Sequence, residues 1–490
     1  MRTISPQLTL WESILPASCL GLPGDLAEID VLLDDERFFE PFRAFFDPVI
    51  GRPSIPIETY LRLMFLKYRY RLGFEPLCRE VSDSISWRRF CRISIDETVP
   101  HPSTLMKITT RCGTAAVEGL NEALLAKAHE EGVVHLERVR ADTTVVPANV
   151  GYPTDSGLLA KGVAKLAALT VKIKAAGLAT RTKSRDRTRS VRRRAHDMGA
   201  WLRRRNDDAK AEIRSINAEM AAIATAAVAD ARHVALNAKR GLRQAGVCVS
   251  GKTAALVTEL ERTAAAVEAV AAQTRLRLAG GVPDGSTRIV SLHDTDARPI
   301  AKGRLGKPVE FGYKAQVVDN ADGIVLDHHV VMGNPPDAPM LVPAVVRIKA
   351  RFAKAPRAVT ADRGYGEALI DAGLEELGVK TVAIPRKGRP GLARQKTQRA
   401  KGFVKLVKWR TGSEARISCL KRDYGWVRTR IDGLAGAQTW CGWGVVAHNA
   451  TKITALIEAR PAEPGPETVP RDRPDGGTSP PRQPGDAIAA

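Results

Sequence analysis

Residues 139–146 read Val139-Arg140-Ala141-Asp142-Thr143-Thr144-Val145-Val146, and this stretch decides the fold. Most of its residues are β-branched, and such side chains favour the pleated backbone of a strand. The pattern predicts a strand over residues 133–146. Asp is disfavoured inside a strand, so Asp142 is a candidate functional residue.

Strands and helices alternate in the second half of the chain. The predicted strands are 287–293, 309–319, 324–332, 358–361 and 381–384, and the predicted helices are 340–352 and 367–377. This alternation indicates an α/β layer architecture. The strand at 358–361 ends at Asp362, in Thr360-Ala361-Asp362-Arg363-Gly364-Tyr365-Gly366. Because open α/β sheets carry their active sites at the carboxyl ends of strands, Asp362 is a second candidate.

A long basic interval separates the first predicted strand from the others. Residues 155–280 are rich in Ala, Lys and Arg, and their apolar positions recur every three or four residues. The spacing predicts long helices and is compatible with a coiled coil. Residues 161–280 carry +15 of the formal charge of +21.

The densest charge in this interval indicates a clamp on the DNA backbone, where each neutralised phosphate releases counterions. The alternative is a solvated helix face or a partly disordered basic loop. The density of charge favours DNA. The candidate DNA-binding residues are Arg192, Arg193, Arg194, Arg203, Arg204 and Arg205.

The first 125 residues are predicted to be helical. Apolar residues recur at helical spacing over 56–73, shorter helices are expected at 75–82 and 84–93, and another begins at Pro102. Basic residues among them fit a DNA-binding module of the helix-turn-helix kind. They fit a helical packing domain with a solvated basic face equally well.

The composition narrows the classes of function. A chain of 490 residues has room for two to four domains. A net charge of +21 and a pI near 9.9 indicate a polyanionic partner, with nucleic acid first. No apolar run reaches the ~18 residues of a membrane span, and no signal peptide is visible, so we expect a cytoplasmic protein without membrane contact. Seven scattered cysteines without a CxxC argue against disulfides and structural zinc.

Residues 408–421 contain an Arg410-x3-Glu414-x6-Lys421 pattern. If the stretch is helical, steps of four and seven place the three side chains along one face. On such a face Glu414 could bind a divalent metal ion, and Arg410 and Lys421 could bind a phosphodiester. Taken alone, the pattern fits an exposed helix with salt bridges better.

Asp142, Asp362 and Glu414 are three carboxylates that could converge on one site. Three converging carboxylates can hold two divalent cations about 3.5 to 4 Å apart, which activate a nucleophilic oxygen and stabilise the leaving one. Hard oxygen ligands favour Mg²⁺, with Mn²⁺ as a substitute. Asp294 and Asp296 also follow a predicted strand, but a turn in which they bond to the local backbone explains them better.

These features resemble the bacterial insertion-sequence transposases of the DDE class, which have an RNase H-like catalytic core. The resemblance covers roughly residues 10–455. Its most specific parts are 141–146, 308–314, the turn Gly333-Asn334-Pro335, the motif 360–366 and the pattern Arg410-x3-Glu414-x6-Lys421. Residues 15–112 resemble the family's InsH-type N-terminal transposase domain.

The resemblance implies a function and roles for residues. It implies Mg²⁺-dependent cleavage of transposon ends and strand transfer to target DNA by a homodimer or larger assembly. Asp142, Asp362 and Glu414 would bind the metal ions, and Arg410 and Lys421 would contact phosphates of the DNA ends. The chain departs from the family at Val407, where a Tyr is expected. Trp409 or Phe403 could replace that aromatic ring.

The resemblance and the patterns together predict an α/β fold. An all-helical DNA-binding domain (1–130) precedes an RNase H-like mixed sheet flanked by helices, whose first part (131–154) is separated from the remainder (283–459) by a basic helical insertion (155–282). A Pro- and Gly-rich tail (460–490) is expected to be disordered. Two alternatives remain for the function: a metal-dependent nuclease on the same core, and a catalytically dead DNA-binding relic.

Overall fold

The computed structural model describes residues 21–47, 54–204, 206–244, 251–302 and 308–460, with residues 14 and 16 besides. Its N-terminal part is helical, as predicted. The helices are α1 (Gly24–Leu33), α2 (Glu40–Arg43), α3 (Ile57–Arg69), α4 (Phe74–Asp83), α5 (Ile85–Phe90) and α6 (Pro102–Glu130). Gly113 kinks α6, because its φ of 57° lies outside the helical region.

One strand and a block of long helices follow. They are β1 (Arg138–Pro147), α7 (Asp155–Ala175), α8 (Thr188–Trp201), α9 (Asp207–Gln244) and α10 (Gly251–Leu278). The four helices pack around a hydrophobic cluster of their own, in which small Ala side chains are frequent. The predicted helical insertion after the first strand is therefore confirmed.

The remainder of the chain alternates strands and helices, as the sequence predicts. The elements are β2 (Arg298–Ala301), β3 (Val309–Asn320), β4 (Val325–Met332), α11 (Ala338–Phe352), β5 (Ala358–Ala361), α12 (Ala368–Glu376), β6 (Thr381–Ala383), α13 (Leu392–Arg399), α14 (Lys401–Arg410), α15 (Ser413–Asp423) and α16 (Leu434–Glu458).

The strands form one mixed sheet in the order β2-β3-β1-β5-β6, and β4 pairs with β3 as well. β1 is antiparallel to β3 and parallel to β5, and β5 is parallel to β6. β1 and β3 are neighbours although α7–α10 lie between them in the chain. The insertion thus leaves the strand order intact, and the expected RNase H-like mixed α/β fold is confirmed.

The strand predicted at 287–293 is wrong. The Gln273 side-chain amide bonds both backbone groups of Ile289: its Nε2 donates to the carbonyl at 3.1 Å, and its Oε1 accepts from the amide at 3.1 Å. A side chain of α10 thereby takes the place of a neighbouring strand. The edge strand β2 begins only at Arg298.

The N-terminal helices and the sheet share one hydrophobic core. Trp440 and Trp443 of α16 pack against Tyr68 of α3, with ring centroids 5.1 and 6.3 Å apart, and Trp443 also contacts Tyr60. α3 is therefore held against the sheet layer through α16. None of the helices described has the length and apolar composition needed to span a bilayer. The tail predicted after Arg460 lies outside the described residues.

Candidate active site

Asp142 and Asp362 lie side by side on two neighbouring parallel strands. The register of β1 and β5 pairs Ala141 with Ala361, and the next residue on each strand is the aspartate. Neighbouring strands are about 4.8 Å apart, so both carboxylates stand at the same level at the carboxyl end of β5. The sheet topology brings together two acids that are far apart in the sequence.

Asp142 is half-buried and held by three groups. The Ser413 hydroxyl donates to its carboxylate at 2.8 Å, the backbone N–H of Thr143 donates at 2.8 Å, and the Arg410 guanidinium lies 3.5 Å away. Burial raises the pKa of Asp142, and the charge of Asp362 acts in the same direction, whereas the two hydrogen bonds and Arg410 oppose them. The carboxylate is therefore partly desolvated and next to a cation.

Asp362 begins a tight turn. Its Oδ1 accepts a hydrogen bond from the backbone N–H of Gly364 at 2.7 Å, and the 3-10 turn Arg363–Tyr365 follows. A Cβ atom on Gly364 would lie 2.8 Å from that same oxygen, so a larger residue there would displace the Asp362 carboxylate. Tyr365 is buried beneath the turn, and the Gln316 side chain donates to its hydroxyl at 3.1 Å. These contacts fix the Asp362 carboxylate at the edge of the sheet.

The stretch that carries Arg410, Glu414 and Lys421 forms two helices. α14 ends at Arg410, α15 begins at Ser413, and residues 411–412 form a turn in which backbone hydrogen bonds span three residues instead of four. The single helical face expected from the sequence is therefore interrupted. Glu414 is exposed in the first turn of α15, and Lys421 lies seven residues further on the same face.

A buried arginine of β1 supports this junction. Two nitrogens of Arg140 donate to Asp319 of β3 at 2.9 and 2.8 Å, and a third donates to the Trp409 carbonyl at 3.0 Å. The guanidinium also lies 4.6 Å from the centroid of the Trp409 ring. A Cβ atom on Gly412 would collide with Arg140. Arg140 therefore ties the end of α14 to the sheet, and a larger residue at position 412 would displace its guanidinium.

Asp337 is a fourth acid at this edge, and the sequence interpretation missed it. Thr143 donates to its carboxylate at 3.0 Å, and the Lys314 ammonium lies 2.5 Å from it. A Cβ atom on Gly364 would lie 3.1 Å from Asp337 and 2.8 Å from Asp362, so the two carboxylates flank the same glycine. No sequence signal marks this role, because an Asp before a helix is an ordinary N-cap residue.

The acids fit a metal site only in part. Asp142 and Asp362 offer adjacent hard oxygen ligands of the kind that Mg²⁺ prefers. Glu414 does not join them in a cluster: among the described ranges there is no group of three His, Cys, Asp or Glu side chains that could hold a metal ion. Two of the three predicted ligands are thus brought together, and the third remains a prediction.

Asp294 bonds the local backbone, as the turn interpretation predicts, whereas Asp296 bonds a distant segment. Asp294 is buried, and its Oδ1 accepts from the backbone N–H of Ala297 at 3.3 Å and of Gly433 at 3.2 Å. Asp296 accepts from the backbone N–H of Leu434 at 3.0 Å. The two side chains bond the local backbone and the first N–H groups of α16.

The predicted DNA-binding arginines of the insertion differ in their surroundings. Arg194 pairs with Glu219, and the Arg204 guanidinium lies 4.6 Å from the Trp201 ring. Arg192, Arg193 and Arg203 are exposed and form no ion pair with any residue that the structure describes. Arg205 lies outside the described residues. The exposed members are available to a polyanion, and their contact with DNA remains a prediction.

The position of the family tyrosine has no aromatic ring in this chain. Val407 is half-buried in α14. Trp409 packs against the guanidinium groups of Arg138 and Arg140 at 4.7 and 4.6 Å, and Phe403 is buried beneath Arg394. Both aromatic residues proposed as replacements are therefore engaged in packing.

One cavity lies away from the carboxylates. It has a volume of about 620 Å³ between the insertion and the sheet layer, and it is lined by residues 149–154, by α7 and by Arg192 of α8. Neither Asp142 nor Asp362 contributes to it. Another cavity, of about 210 Å³, is lined in part by Lys421.

Comparison with known proteins adds independent information. Residues 21–111 match the family described as a transposase domain (DUF772), and residues 284–450 match the transposase DDE domain. These two matches cover about half of the chain and leave the helical insertion between them. An uncharacterised protein of Rhizobium meliloti, ORF8 in the nfe locus, is 33% identical over 135 residues, which are 26% of this chain and 65% of that relative. No solved structure matches the chain.

Proposed function

Because the chain belongs to the insertion-sequence transposases of the DDE class, we propose that it binds the terminal inverted repeats of its own element, cleaves the element ends and joins them to target DNA. Its substrate is double-stranded DNA in the bacterial cytoplasm, at the nucleoid when bound. Cutting and joining two ends in register requires a dimer or a larger assembly.

One observation carries this proposal: the pairing of Asp142 with Asp362 on adjacent parallel strands. Two acids at equivalent positions of neighbouring strands cost stability, because their charges repel. Such an arrangement is common where carboxylates bind a cation or take part in acid–base chemistry. The surrounding basic groups, among them Arg410, suit a phosphodiester substrate.

Asp142, Asp362 and Glu414 are the proposed ligands of two Mg²⁺ ions, with Mn²⁺ as a substitute. When bound, the ions would supply activation of a water or 3′-hydroxyl and stabilisation of the leaving oxygen. Ser413 holds Asp142 by a hydrogen bond, and Glu414 is the next residue along α15. Thr143 and Gly364 orient the two aspartates through their backbone N–H groups.

The remaining cations are proposed to hold the DNA. Arg410 lies beside Asp142 and would neutralise a phosphate close to the point of cleavage. Lys421, at the far end of α15, would contact the same DNA end. The exposed arginines of the insertion would contact the DNA backbone without reading its sequence.

Cleavage by an Asp362→Asn variant tests the proposal. Duplexes that carry the DNA flanking this reading frame are incubated with Mg²⁺, and nicking at the element ends is measured. We expect Asp362→Asn to lower the nicking rate by more than about 10³-fold while duplex binding persists. Asp322→Asn is the matched control, because Asp322 lies in the turn between β3 and β4, at the opposite end of β1.

Nicking by Asp362→Asn at the wild-type rate would show that this site is not the catalytic one. The third ligand is assigned by a second pair of variants. Glu414→Gln should abolish nicking, whereas Asp337→Asn, which keeps the hydrogen bond from Thr143, should retain part of it. The reverse result would transfer the third ligand position to Asp337.

The same DNA duplexes and the Asp362→Asn variant also distinguish the proposed function from its two alternatives. A nuclease cuts the ends and does not join them, so transfer of a labelled 3′ end to a plasmid distinguishes a transposase from a nuclease. A DNA-binding relic neither cuts nor joins, and nicking that depends on Asp362 excludes it.

A further inference from the structure

A basic cavity lies between the N-terminal helices and the C-terminal part of the chain. Its volume is about 210 Å³, and its walls come from α3, from the end of α15 with the loop after it, and from α16. None of its lining residues is acidic, and six are cationic. These are Lys67, Arg71, Lys421, Arg422, Arg428 and Arg430. A concave surface of one charge focuses an electrostatic field and favours an anionic ligand.

Lys67 is the innermost of these cations. Its side chain is 2% exposed, and the ammonium lies 4.2 Å from the ring centroids of Tyr68 and Trp440 and 4.7 Å from that of Phe74. The aromatic faces attract the cation. No carboxylate pairs with it anywhere in the described part of the chain. Burial, and then the charge of Arg430, lower the pKa of Lys67 to about 7.

Arg62 lies on the same helix and is a buried cation with a purely structural role. Its guanidinium is fully buried and pairs with Asp30 at 2.9 Å and with Asp34. Lys67, five residues later, has no such acid. Buried charges are ordinarily paired, because an unpaired one is costly. The missing negative charge beside Lys67 is therefore the notable feature of the cavity.

We infer that this cavity binds a phosphate group of the DNA backbone, with Lys67 at its base and Arg428 and Arg430 at its mouth. Within the described residues, the side chains of Arg428 and Arg430 form neither ion pairs nor hydrogen bonds, so both can turn towards a ligand. At about 30 Å³ per water in the bulk liquid, the cavity has room for a phosphate with part of its sugar.

The position of the cavity favours DNA as the source of that phosphate, and the inference rests on the proposed function in this respect. α15 begins at the active site with Ser413 and Glu414, and its last turn carries Lys421 to the cavity. Seven helical residues span about 10 Å, which is a few nucleotides of DNA backbone. A strand leaving the carboxylates along α15 would reach the cavity.

Binding of a labelled duplex at several salt concentrations tests the inference. The variants are Lys67→Met, which removes an unpaired buried charge and should remain folded, and Arg430→Gln, which changes an exposed residue. Each should weaken binding and reduce the slope of log K against log salt by about one. Arg357→Gln is the matched control, an exposed arginine before β5, at the end of the strand away from Asp362. It should leave the slope unchanged.

Proton uptake gives a second readout that a merely structural role would not change. A phosphate in the cavity favours the charged form of Lys67, so duplex binding at pH 8.5 should take up a fraction of a proton. Calorimetry in two buffers of different ionisation enthalpy measures this uptake. We expect uptake by the wild type and by Arg357→Gln, and none by Lys67→Met.

Two outcomes would overturn the inference. One is that Lys67→Met and Arg430→Gln both show the slope of log K against log salt and the proton uptake of the wild type. The other is uptake with sodium sulfate, a free tetrahedral dianion, and none with duplex DNA, which would assign the cavity to a small anion. These binding readouts do not depend on cleavage. If Asp362→Asn does not cleave but the cavity variants bind DNA as the wild type does, only the phosphate-binding inference is refuted. If Asp362→Asn cleaves normally, only the proposed function is refuted.

Discussion

The insertion and the sheet layer both carry many basic residues, but they place them differently. In the insertion, arginines such as Arg192 and Arg193 are exposed, and others form ion pairs on the surface, for example Arg232 with Glu268. In the sheet layer, Arg140 is buried against Asp319 next to the active site. The insertion packs around its own hydrophobic cluster, and the sheet shares its core with the N-terminal helices.

The two regions differ in how their cations are buried and paired as well as in how many they carry. A count of Lys and Arg locates the insertion at once, because most of the net charge lies there. Arg410, which contacts Asp142, lies in a second basic segment, residues 386–430, with 15 Lys and Arg against two acidic residues, whereas Arg140 lies in the strand β1. Their importance comes from burial and from the partners that long-range folding gives them.

The largest expected loss of stability concerns the buried pair of Arg140 and Asp319. Arg140→Met leaves the Asp319 carboxylate, which is 1% exposed, with the single ion pair to Arg416 at 3.3 Å. Breaking a buried pair leaves an uncompensated charge, so we expect the free energy of unfolding to fall by about 3 kcal/mol. Urea denaturation measures it. The end of α14 is also released from Arg140, so nicking should decrease too.

The matched variant in the insertion is Arg232→Met. The side chains of Arg232 and Glu268 are about half exposed, and such pairs contribute roughly 0 to 1 kcal/mol. The contrast between the two regions predicts that the decrease in unfolding free energy differs by at least about threefold. Equal decreases would mean that burial does not distinguish the two sets of cations.

The next effect is the pH dependence of stability that Lys67 confers. Its pKa is lowered from 10.5 to about 7 in the folded chain. Between these values the unfolded chain binds a proton that the folded chain lacks, so stability rises with pH, and below about pH 7 the contribution is constant. Lys67→Met should be more stable than the wild type at pH 7. The difference should shrink by ~1.4 kcal/mol per pH unit up to about pH 9.5.

Arg62→Met provides the opposite case on the same helix. It leaves Asp30 and Asp34 without their buried partner, so it should destabilise the chain. Because arginine does not titrate in this range, its effect should not vary between about pH 7 and 9.5. A flat pH profile for Lys67→Met would show that Lys67 keeps its charge in the folded chain.

Much of the fold follows from local pattern. The first strand, predicted at 133–146 and observed as β1 (Arg138–Pro147), the α/β alternation and the long insertion helices were predictable because β-branched runs and helical spacing are local properties. The adjacency of Asp142 and Asp362 was predictable only through the resemblance, because strand order is not a local property. The strand expected at 287–293 failed for the same reason, since Gln273 of α10 occupies its hydrogen bonds.

The break at residues 411–412 and the role of Asp337 could not be predicted. Residues 408–421 have a helical pattern throughout, and the turn follows from Arg140, which reaches Trp409 and Gly412 from a distant part of the chain. Asp337 follows a Pro-Pro turn and becomes part of the site only because Thr143 and Lys314 meet it there. Both features depend on interactions between segments that sequence spacing does not relate.

The smallest effect on stability is expected in the insertion. Replacing Arg192, Arg193 and Arg203 together by Gln removes exposed cations without ion-pair partners in the described residues, so the free energy of unfolding should change by only about 0.5 kcal/mol. Duplex binding should nevertheless weaken, and the slope of log K against log salt should fall by up to ~0.9 for each DNA phosphate that these arginines neutralise. Fluorescence anisotropy from about 50 to 200 mM salt measures both. If affinity and slope match the wild type, DNA does not touch this face of the insertion, and the cations of the sheet layer alone hold it.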